Sequence, residues 1–342
     1  MAASAGSLPA VADGAAAATE GLALGLDVGG TKLAAGVVDA DGLVHSFVLQ
    51  PTLGEEGHTA VLERLFRLGE RAVAESGVPW ERIDRVGIGC GGPLDATRGV
   101  VLGPPHLPGW LDVPVTALAQ LAYGRPAVLE NDATAAAAAE HRHGAGAGTR
   151  NMVYLTISTG VGGGIVIEGA LYRGSMGNGG ELGHVTVDVD GRPCRGCGRL
   201  GCLEAYVSGT SIAERAREAL ADATEPSVLA TLDEPTAADV AAAARAGDAL
   251  AAAVWDATTA ALACGVTSIV NLFEPETVVL GGGVTRSGEQ LLAPVRETVR
   301  TSAMGPAGRG ATVVLSALGD RGGVVGAAAI AFDRVGTGRA SG

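Results

Sequence analysis

A pattern of strand, glycine-rich turn and strand occurs twice in the chain and limits the possible folds more than any other feature. In the first copy, an apolar segment over residues 22–28 runs into Gly29-Gly30-Thr31, and a second apolar segment covers residues 33–38. The second copy has a predicted strand at 152–157, a glycine-rich loop at 158–164 and a strand at 165–167. The first copy is typical of a β-hairpin whose tip presents Asp27 and free N–H groups to an anion. We therefore predict an internal duplication with a ligand held between the halves.

The order of the other predicted elements favours an actin-like α/β fold. A third strand is predicted at 43–49, and apolar residues at helical spacing predict a helix over 60–76. A short buried strand follows at 86–89, and an Ala-rich helix begins near residue 132 and ends near residue 143. Strands and helices would alternate from the start in a Rossmann unit, which this order does not match. Later helices are predicted within 212–263, interrupted at 222–236, and over 322–332, with strands at 277–280 and 313–315.

A cluster of metal-type ligands lies in the second half of the chain. A histidine stands ten residues before the first of three cysteines, which are separated by steps of three and five residues. This spacing matches the Cys3His set of a closed tetrahedral zinc site. The predicted ligands are His184, Cys194, Cys197 and Cys202. The alternative is one disulfide with a spare thiol on a surface loop.

Asn131 and Asp132 stand where a predicted strand ends and the Ala-rich helix begins. Both residue types are favoured helix N-caps. A carboxylate at a strand end beside a helix N-terminus is also where open α/β folds place their chemistry. We predict that Asp132 is catalytic, and capping by either residue can coexist with that role.

Three separated motifs resemble those of the ROK family of sugar kinases and sugar-responsive repressors. They are Asp-Val-Gly-Gly-Thr-Lys at 27–32, Glu-Asn-Asp at 130–132, and Gly-Glu-Leu-Gly-His at 180–184 followed by the cysteine motif that ends in Glu204. The resemblance runs from about residue 22 to residue 332. Two departures stand out: Arg195 and Gly196 both separate the first two cysteines, where the family has one residue, and His106 replaces the Asn that is usual in ROK glucokinases.

The resemblance implies a two-domain actin-like ATPase fold, a duplicated ribonuclease H-like α/β fold with a structural zinc knuckle. The small domain is expected over residues 22–133, joined by the final helix at 322–334, and the large domain over 134–321. Residues 1–21, rich in Ala and Gly, are expected to be disordered.

The resemblance also implies ATP-dependent phosphorylation of a hexose at its 6-hydroxyl, with glucose as the expected sugar and with ATP, Mg²⁺ and structural Zn²⁺ as cofactors. Asp132 is the implied catalytic residue, and His184 is implied to bind zinc through one ring nitrogen and the sugar through the other. The implied sugar ligands are Gly92, His106, Asn131, Asp132, Glu181, His184 and Glu204. The implied ATP ligands are Asp27, Gly29, Gly30, Thr31, Lys32, Thr159, Gly160, Gly162, Gly163, Gly282 and Gly283. An exposed strand position is the alternative for Lys32, and an ordinary loop position is the alternative for His106.

Composition excludes some partner classes. A net charge of −13 and a pI of about 4.9 provide no electrostatic attraction to nucleic acid or to an anionic membrane. No uninterrupted apolar stretch reaches the length of a membrane span, and unpaired Cys90 and Cys264 favour a reducing cytoplasm. We expect a sugar and ATP as small-molecule partners and a homodimer or homotetramer.

Three alternatives remain open from the sequence. N-acetylmannosamine or another hexose is a candidate substrate, and polyphosphate is a candidate phosphoryl donor. A sugar-sensing regulator without kinase activity is the third. Regulators of the family carry a winged helix-turn-helix before the kinase-like body, and only about 21 residues, without that pattern, precede Leu22 here.

Overall fold

The computed structural model describes residues 21–335, and the chain folds there around two separate five-stranded sheets. The predicted disordered N-terminal segment lies, except for Gly21, outside the described residues. Up to residue 143 the strands and helices are β1 (Leu22–Val28), β2 (Lys32–Asp39), β3 (Val48–Pro51), α1 (Gly57–Ser76), β4 (Ile83–Cys90), β5 (Leu94–Asp95), β6 (Val100–Val101), α2 (Val115–Tyr123), β7 (Ala127–Asn131) and α3 (Asp132–His143). After residue 143 they are β8 (Met152–Ile157), β9 (Val161–Ile167), β10 (Ala170–Tyr172), α4 (Glu204–Val207), α5 (Gly209–Ala221), α6 (Ala237–Arg245), α7 (Ala249–Phe273), β11 (Thr277–Gly281), α8 (Glu289–Ser302), α9 (Gly305–Gly310), β12 (Thr312–Leu315) and α10 (Gly322–Val335).

The two sheets have the same topology. The sheet of the first lobe has the order β3-β2-β1-β4-β7, and that of the second lobe has the order β10-β9-β8-β11-β12. In each, the first three strands in sequence are antiparallel neighbours, the fourth pairs in parallel with the first, and the fifth pairs in parallel with the fourth. The duplication predicted from the two glycine-rich turns is therefore present in the strand order.

Two strand predictions were wrong in their bounds. The third strand begins at Val48, because residues 43–47 make only a single bridge, between Val44 and Val38. The second glycine-rich segment is mostly strand: β9 starts at Val161, so Gly162 and Gly163 belong to the sheet and the turn consists of residues 158–160.

Helices α3 and α10 lie between the two lobes and pack against each other. α10 covers β1 and β4 of the first sheet, as the prediction of a final helix packing back on the N-terminal half required, while α3 covers β8 and β9. Small residues permit this close approach: a Cβ on Gly87 would lie 1.8 Å from the carbonyl oxygen of Ala327, and a Cβ on Gly326 would lie 2.2 Å from that of Ala135.

The second lobe has the larger helical layer, with α7 at its centre. Among the described residues, α7 is the one helix long and apolar enough, by length and composition alone, to cross a membrane. It contains Asp256, and it packs against α5, α6 and α8. Its buried residues, such as Leu262 and Ile269, belong to the core of the second lobe, so α7 serves as a core helix.

Glu140 joins the two places where the chain passes between the lobes. This residue of α3 is 1% exposed. Its carboxylate accepts hydrogen bonds from the hydroxyl of Ser316 and the backbone N–H of Leu318, which connect β12 to α10, and from the N–H of Ala145 at the entry to the second lobe. Both crossing segments are thereby held at one buried point.

Candidate functional site

At the N-terminus of α3, the residue that caps the helix and the residue predicted to be catalytic are different residues. Asn131 is the N-cap, and its Oδ1 accepts from the N–H groups of Ala133 at 3.0 Å and Thr134 at 3.1 Å. Asp132 is the first residue of the helix, and its Oδ1 accepts from Ala133 N at 2.8 Å. Within the described residues no hydrogen bond engages Oδ2 of Asp132, so this oxygen is available to a ligand. Nδ2 of Asn131 lies 3.6 Å from the point where a Cβ of Gly92 would stand, which directs this donor toward the predicted sugar loop.

Asp27 lies beside Asp132 rather than at the hairpin tip, where the sequence placed it. It is near the end of β1, and its carboxylate is 2.3 Å from the position of a Cβ on Gly323, at the start of α10. Burial, with a smaller contribution from the charge of Asp132, raises the pKa of Asp27 to about 7. Burial also raises the pKa of Asp132. Two neighbouring carboxylates with raised pKa values favour a cation between them.

His106 closes this corner from the first lobe. Its ring lies against Gly30 and Gly91; a Cβ on Gly91 would be 2.2 Å from Cε1 of the ring. Desolvation by the surrounding loops lowers the pKa of His106, and the negative charge of Asp132 acts in the opposite direction. His106 therefore lies between the turn at residues 29–31, which is predicted to bind phosphate, the Gly91-Gly92 loop and Asp132. This position places it at the cleft.

Glu181 and His184 approach the cleft from the second lobe. Nε2 of His184 is 3.9 Å from the carboxylate of Glu181, whose side chain is 57% exposed. The segment before Glu181 reaches the first lobe, because Oδ1 of Asn178 is 3.4 Å from the backbone nitrogen of Leu94 and 3.7 Å from the Cβ position of Gly92. Sequence reasoning missed Asn178, which stands in a glycine-rich loop without a motif of its own.

The cysteine cluster fits a tetrahedral metal site. The ligand atoms of His184, Cys194, Cys197 and Cys202 all lie within 4.8 Å of one another. Nδ1 of His184 is 3.6 Å from Sγ of Cys194, and Sγ of Cys197 is 3.5 Å from Sγ of Cys202. All three cysteines are free thiols, so the disulfide alternative is wrong. The donor set and spacing suit Zn²⁺, and the extra residue between Cys194 and Cys197 does not keep Cys194 out of the cluster.

Glu204 connects this cluster to the second glycine-rich turn. One carboxylate oxygen accepts from the N–H of Val161 at 3.0 Å, and the other is 3.3 Å from Sγ of Cys194. A Cβ on Gly160 would lie 2.9 Å from Glu204. Both carboxylate oxygens of Glu204 are thus already engaged by the protein in this structure.

The turn at residues 29–31, which is predicted to bind phosphate, is hydrogen-bonded to Thr52 and is followed by a basic residue. Thr52, fully buried, donates from its hydroxyl to the carbonyl of Gly29 at 2.7 Å and from its N–H to that of Thr31 at 3.0 Å. Lys32 begins β2, and its Nζ is 3.9 Å from Asp320. Arg286 binds the same carboxylate at 2.9 and 3.0 Å. Two cations from opposite lobes therefore share one exposed acid.

The second glycine-rich turn, residues 158–160, adjoins Gly282 and Gly283, which are also predicted to bind ATP. The turn is closed by a bond from Ser158 N to Gly160 O at 2.9 Å, with Thr159 exposed at its tip. Gly282, with φ of 90°, lies against the backbone of Ile157, and Gly283 begins the next helical turn. Gly162 and Gly163 face other neighbours: a Cβ on Gly162 would be 2.9 Å from Cβ of Ala133, and one on Gly163 would be 2.7 Å from a methyl of Leu182. These two glycines provide close packing beneath the site.

Glu130 belongs to the Glu-Asn-Asp motif, but the sequence assigned it no role of its own. It is fully buried in β7 and pairs with Arg173 and Arg334. The available signal was a charged residue at the end of an apolar strand, since acidic side chains are almost never fully buried unless paired.

The duplicated sheets, with α3 and α10 between them and the Cys3His cluster on the second lobe, define the actin-like ATPase fold that ROK kinase structures share. The family model described as "ROK family" matches residues 23–334, and the chain belongs to this family. It is 38% identical to a glucokinase of Thermotoga maritima over 92% of this chain and 98% of the relative. Matches at lower similarity include an N-acetylmannosamine kinase and a ROK family transcriptional regulator.

Two solved structures support the same assignment. A ROK hexokinase from Thermus thermophilus is 38% identical, with a TM-score of 0.76 over 93% of this chain and 100% of that chain. A ROK family glucokinase from Streptomyces griseus, in complex with glucose and AMPPNP, is 35% identical, with a TM-score of 0.78 over 92% of this chain and 100% of that chain.

Proposed function

We propose that the protein transfers the γ-phosphoryl group of ATP to the 6-hydroxyl of a hexose, with glucose as the preferred sugar. The observation that carries this proposal is the free Oδ2 of Asp132 at the N-terminus of α3, beside Asp27 and close to Gly89. The glucokinases that match nearly the whole chain support the choice of glucose.

Asp132 is proposed as the base. Its Oδ1 is fixed by the N–H of Ala133, so Oδ2 points in one direction and can accept the proton of the attacking hydroxyl. Burial raises its pKa, which brings its basicity closer to what proton transfer near neutral pH requires. In a loose phosphoryl-transfer transition state, its larger task is orienting the sugar oxygen in line with the γ-phosphate.

Hydroxyl recognition is proposed to come from both lobes. Asn131 uses Oδ1 for capping and has Nδ2 left to donate to a sugar oxygen. From the second lobe, Nε2 of His184 and the carboxylate of Glu181 lie close enough together to bind adjacent hydroxyls. Gly92 and His106 would line the opposite wall, and Glu204 would complete the site once its present hydrogen bonds are exchanged for sugar.

The phosphates are proposed to bind between the turn at Gly29, Gly30, Thr31 and Lys32 and the turn at Thr159 and Gly160, with adenosine against Gly282 and Gly283. Asp27 would hold Mg²⁺, which neutralises phosphate charge when bound; the raised pKa of Asp27 fits a site made for a cation. The backbone N–H groups of both turns would stabilise the transferring group.

The cysteine cluster is proposed to hold one structural Zn²⁺ through His184, Cys194, Cys197 and Cys202. His184 would bind the zinc through Nδ1, which lies on the side of Cys194, and the metal would hold the ring so that Nε2 stays directed at Glu181 and the cleft. The metal would shape the sugar site without touching the reacting oxygen.

The test is formation of the sugar phosphate by the purified protein across a panel of hexoses, with ATP or polyphosphate as donor. We expect glucose to give the highest kcat/KM with ATP. A higher kcat/KM for N-acetylmannosamine would transfer the assignment to that sugar. This alternative is included because His106 replaces the Asn that is usual in ROK glucokinases. Sugar binding without phosphorylation of any hexose, from either donor, would contradict a kinase and favour a sugar-sensing protein.

A further inference from the structure

A buried carboxylate joins three elements immediately before the proposed catalytic residues. Glu130 has 0% exposure and lies one residue before Asn131. Its Oε2 accepts from Nε of Arg173 at 2.7 Å and from Nη2 of Arg334 at 2.8 Å, and its Oε1 accepts from the N–H of Asn131 at 3.1 Å.

The two arginines come from different parts of the molecule. Arg334 is in the last turn of α10 and also donates to the carbonyl of Leu129 at 3.0 Å, so it remains with the first lobe. Arg173 directly follows β10 of the second lobe. The bond between Glu130 and Arg173 is therefore an ion pair across the lobes with its acid fully buried, a setting in which a charge-assisted hydrogen bond is strong and the loss of one partner is costly.

Arg173 is also the first residue of the segment that leads to Glu181. This segment contains four glycines, and three of them, Gly174, Gly177 and Gly180, have φ values of 70°, 77° and 101°. It has no strand or helix of its own before residue 182. Beyond Arg173, the hydrogen bond that it makes to the first lobe among the described residues runs from the N–H of Leu94 to Oδ1 of Asn178 at 3.4 Å, near the limit of a hydrogen bond. The ion pair at Arg173 is thus its strong attachment.

We propose that Glu130 is a positioning residue that holds the segment 173–181 against the strand carrying Asn131 and Asp132, so that Glu181 is in place before the sugar binds. The inference rests on the proposed function for its kinetic consequence, but the attachment itself is a property of the ligand-free protein. Glu130 acts through Arg173 and does not touch the substrate.

Arg173→Gln tests the attachment while leaving the buried acid paired with Arg334. The matched control is Arg150→Gln, which breaks an ion pair with Glu168 in the same lobe, where the arginine side chain is 73% exposed. In ligand-free protein, we expect faster hydrogen exchange in peptides covering residues 174–183 for Arg173→Gln only. We also expect the KM for the sugar to rise by about tenfold or more, with the KM for ATP unchanged. Arg173→Lys, which keeps the charge but not the Nε donor, should recover part of the loss.

Glu130→Gln supplies the other arm of a double-mutant cycle. If the two residues act as a pair, the double variant should have the same sugar KM as Glu130→Gln alone. Exchange in 174–183 that matches the Arg150→Gln control would overturn the inference, as would equal losses for sugar and ATP accompanied by a lower melting temperature. If the wild-type protein phosphorylates no hexose, the proposed function fails, and the exchange comparison alone decides whether Glu130 holds the segment.

Discussion

Asn131 and Asp132 are adjacent, and either type can cap a helix, but the structure gives the cap to Asn131. Its Oδ1 satisfies the N–H groups of both Ala133 and Thr134, whereas Asp132 bonds only Ala133. A change at Asp132 therefore leaves the main cap in place. This separation allows the catalytic role to be tested without a large loss of stability.

We predict that Asp132→Asn lowers kcat by about 10²–10⁴-fold with sugar affinity nearly unchanged. Asn retains an oxygen for Ala133 N but has no basic carboxylate to accept the hydroxyl proton. Turnover and sugar binding by calorimetry on the same variant check this. Asp95→Asn is the matched control, since Asp95 accepts from N–H groups of its own turn, at Thr97 and Arg98, outside the cleft. Near-normal turnover would move the search for the base to Glu181 or Glu204.

Asp27 makes stability depend on pH in the opposite direction to an acid whose pKa is lowered by folding. Burial raises its pKa from 3.8 to about 7, aided by Asp132 and opposed by Lys32. Between those values the folded protein keeps a proton that the unfolded chain has released. The free energy of unfolding contributed by this group therefore falls as the pH rises from about 4 to about 7.

We predict that Asp27→Asn, which carries no charge at any pH, raises the melting temperature of the ligand-free protein by several degrees at pH 8 and much less at pH 4.5. Thermal unfolding of wild type and variant at the two pH values provides the measurement, with Asp95→Asn again as the control. A difference between wild type and Asp27→Asn that is independent of pH would show that Asp27 is ionised throughout.

At the scale of single elements, the knuckle of residues 184–204 is small and depends on its ligands for order. Between His184 and α4 it has no strand or helix. Its β-type backbone pairing consists of two isolated bridges, Thr186–Cys202 and Pro193–Leu200. Arg192 binds Glu218 of α5 through both terminal nitrogens, which attaches the knuckle to the second lobe. In such a segment, a bound metal stabilises the arrangement of the four ligands more than a hydrophobic core does.

We predict one zinc per chain, and we predict that Cys197→Ser loses it together with most of the sugar kcat/KM. A serine hydroxyl is a poor replacement for a thiolate ligand, and without the metal His184 is no longer fixed through Nδ1. Metal analysis and kinetics on one preparation test both parts. Cys264→Ser, at an exposed free thiol on α7, should keep zinc and activity. Full activity in wild-type protein with well under one zinc per chain would refute the prediction.

Comparison of the predicted and observed elements shows which sequence patterns were sufficient to predict the structure. Apolar residues at helical spacing located α1, an Ala-rich run located α3 and a short apolar run located β8, because each is a local pattern that the tertiary fold does not override. Gly162 and Gly163 were assigned to a loop because glycine has two uses that sequence cannot separate: it permits a turn, and it permits close packing against Ala133 or Leu182. The attachment of Glu130 to Arg173 was not predictable, since the partner is 43 residues away on the other lobe. Motif spacing succeeded for the cysteine cluster because tetrahedral geometry imposes its own constraint.

On the scale of the whole molecule, the candidate site is divided between two lobes, and the chain crosses from one lobe to the other at two places. Gly92, His106 and Asn131 belong to the first lobe, and Glu181 and His184 to the second. The chain crosses through α3 and through the segment between β12 and α10, and Glu140 holds these crossings together with its four hydrogen bonds. Because the lobes share no strand, a rotation about this buried point would change the width of the cleft without breaking either sheet.

We predict that a saturating hexose alone reduces the radius of gyration measured by small-angle X-ray scattering. A sugar that contacts Asn131 on one side and His184 on the other binds both walls only when the cleft narrows, so its binding energy favours the closed arrangement. Asp132→Asn, which should still bind sugar, allows the same measurement with ATP present and no turnover. The control is a hexose that shows no binding by calorimetry, which should leave the scattering unchanged. Scattering that stays the same at saturating glucose would mean that the cleft is already closed before the sugar arrives.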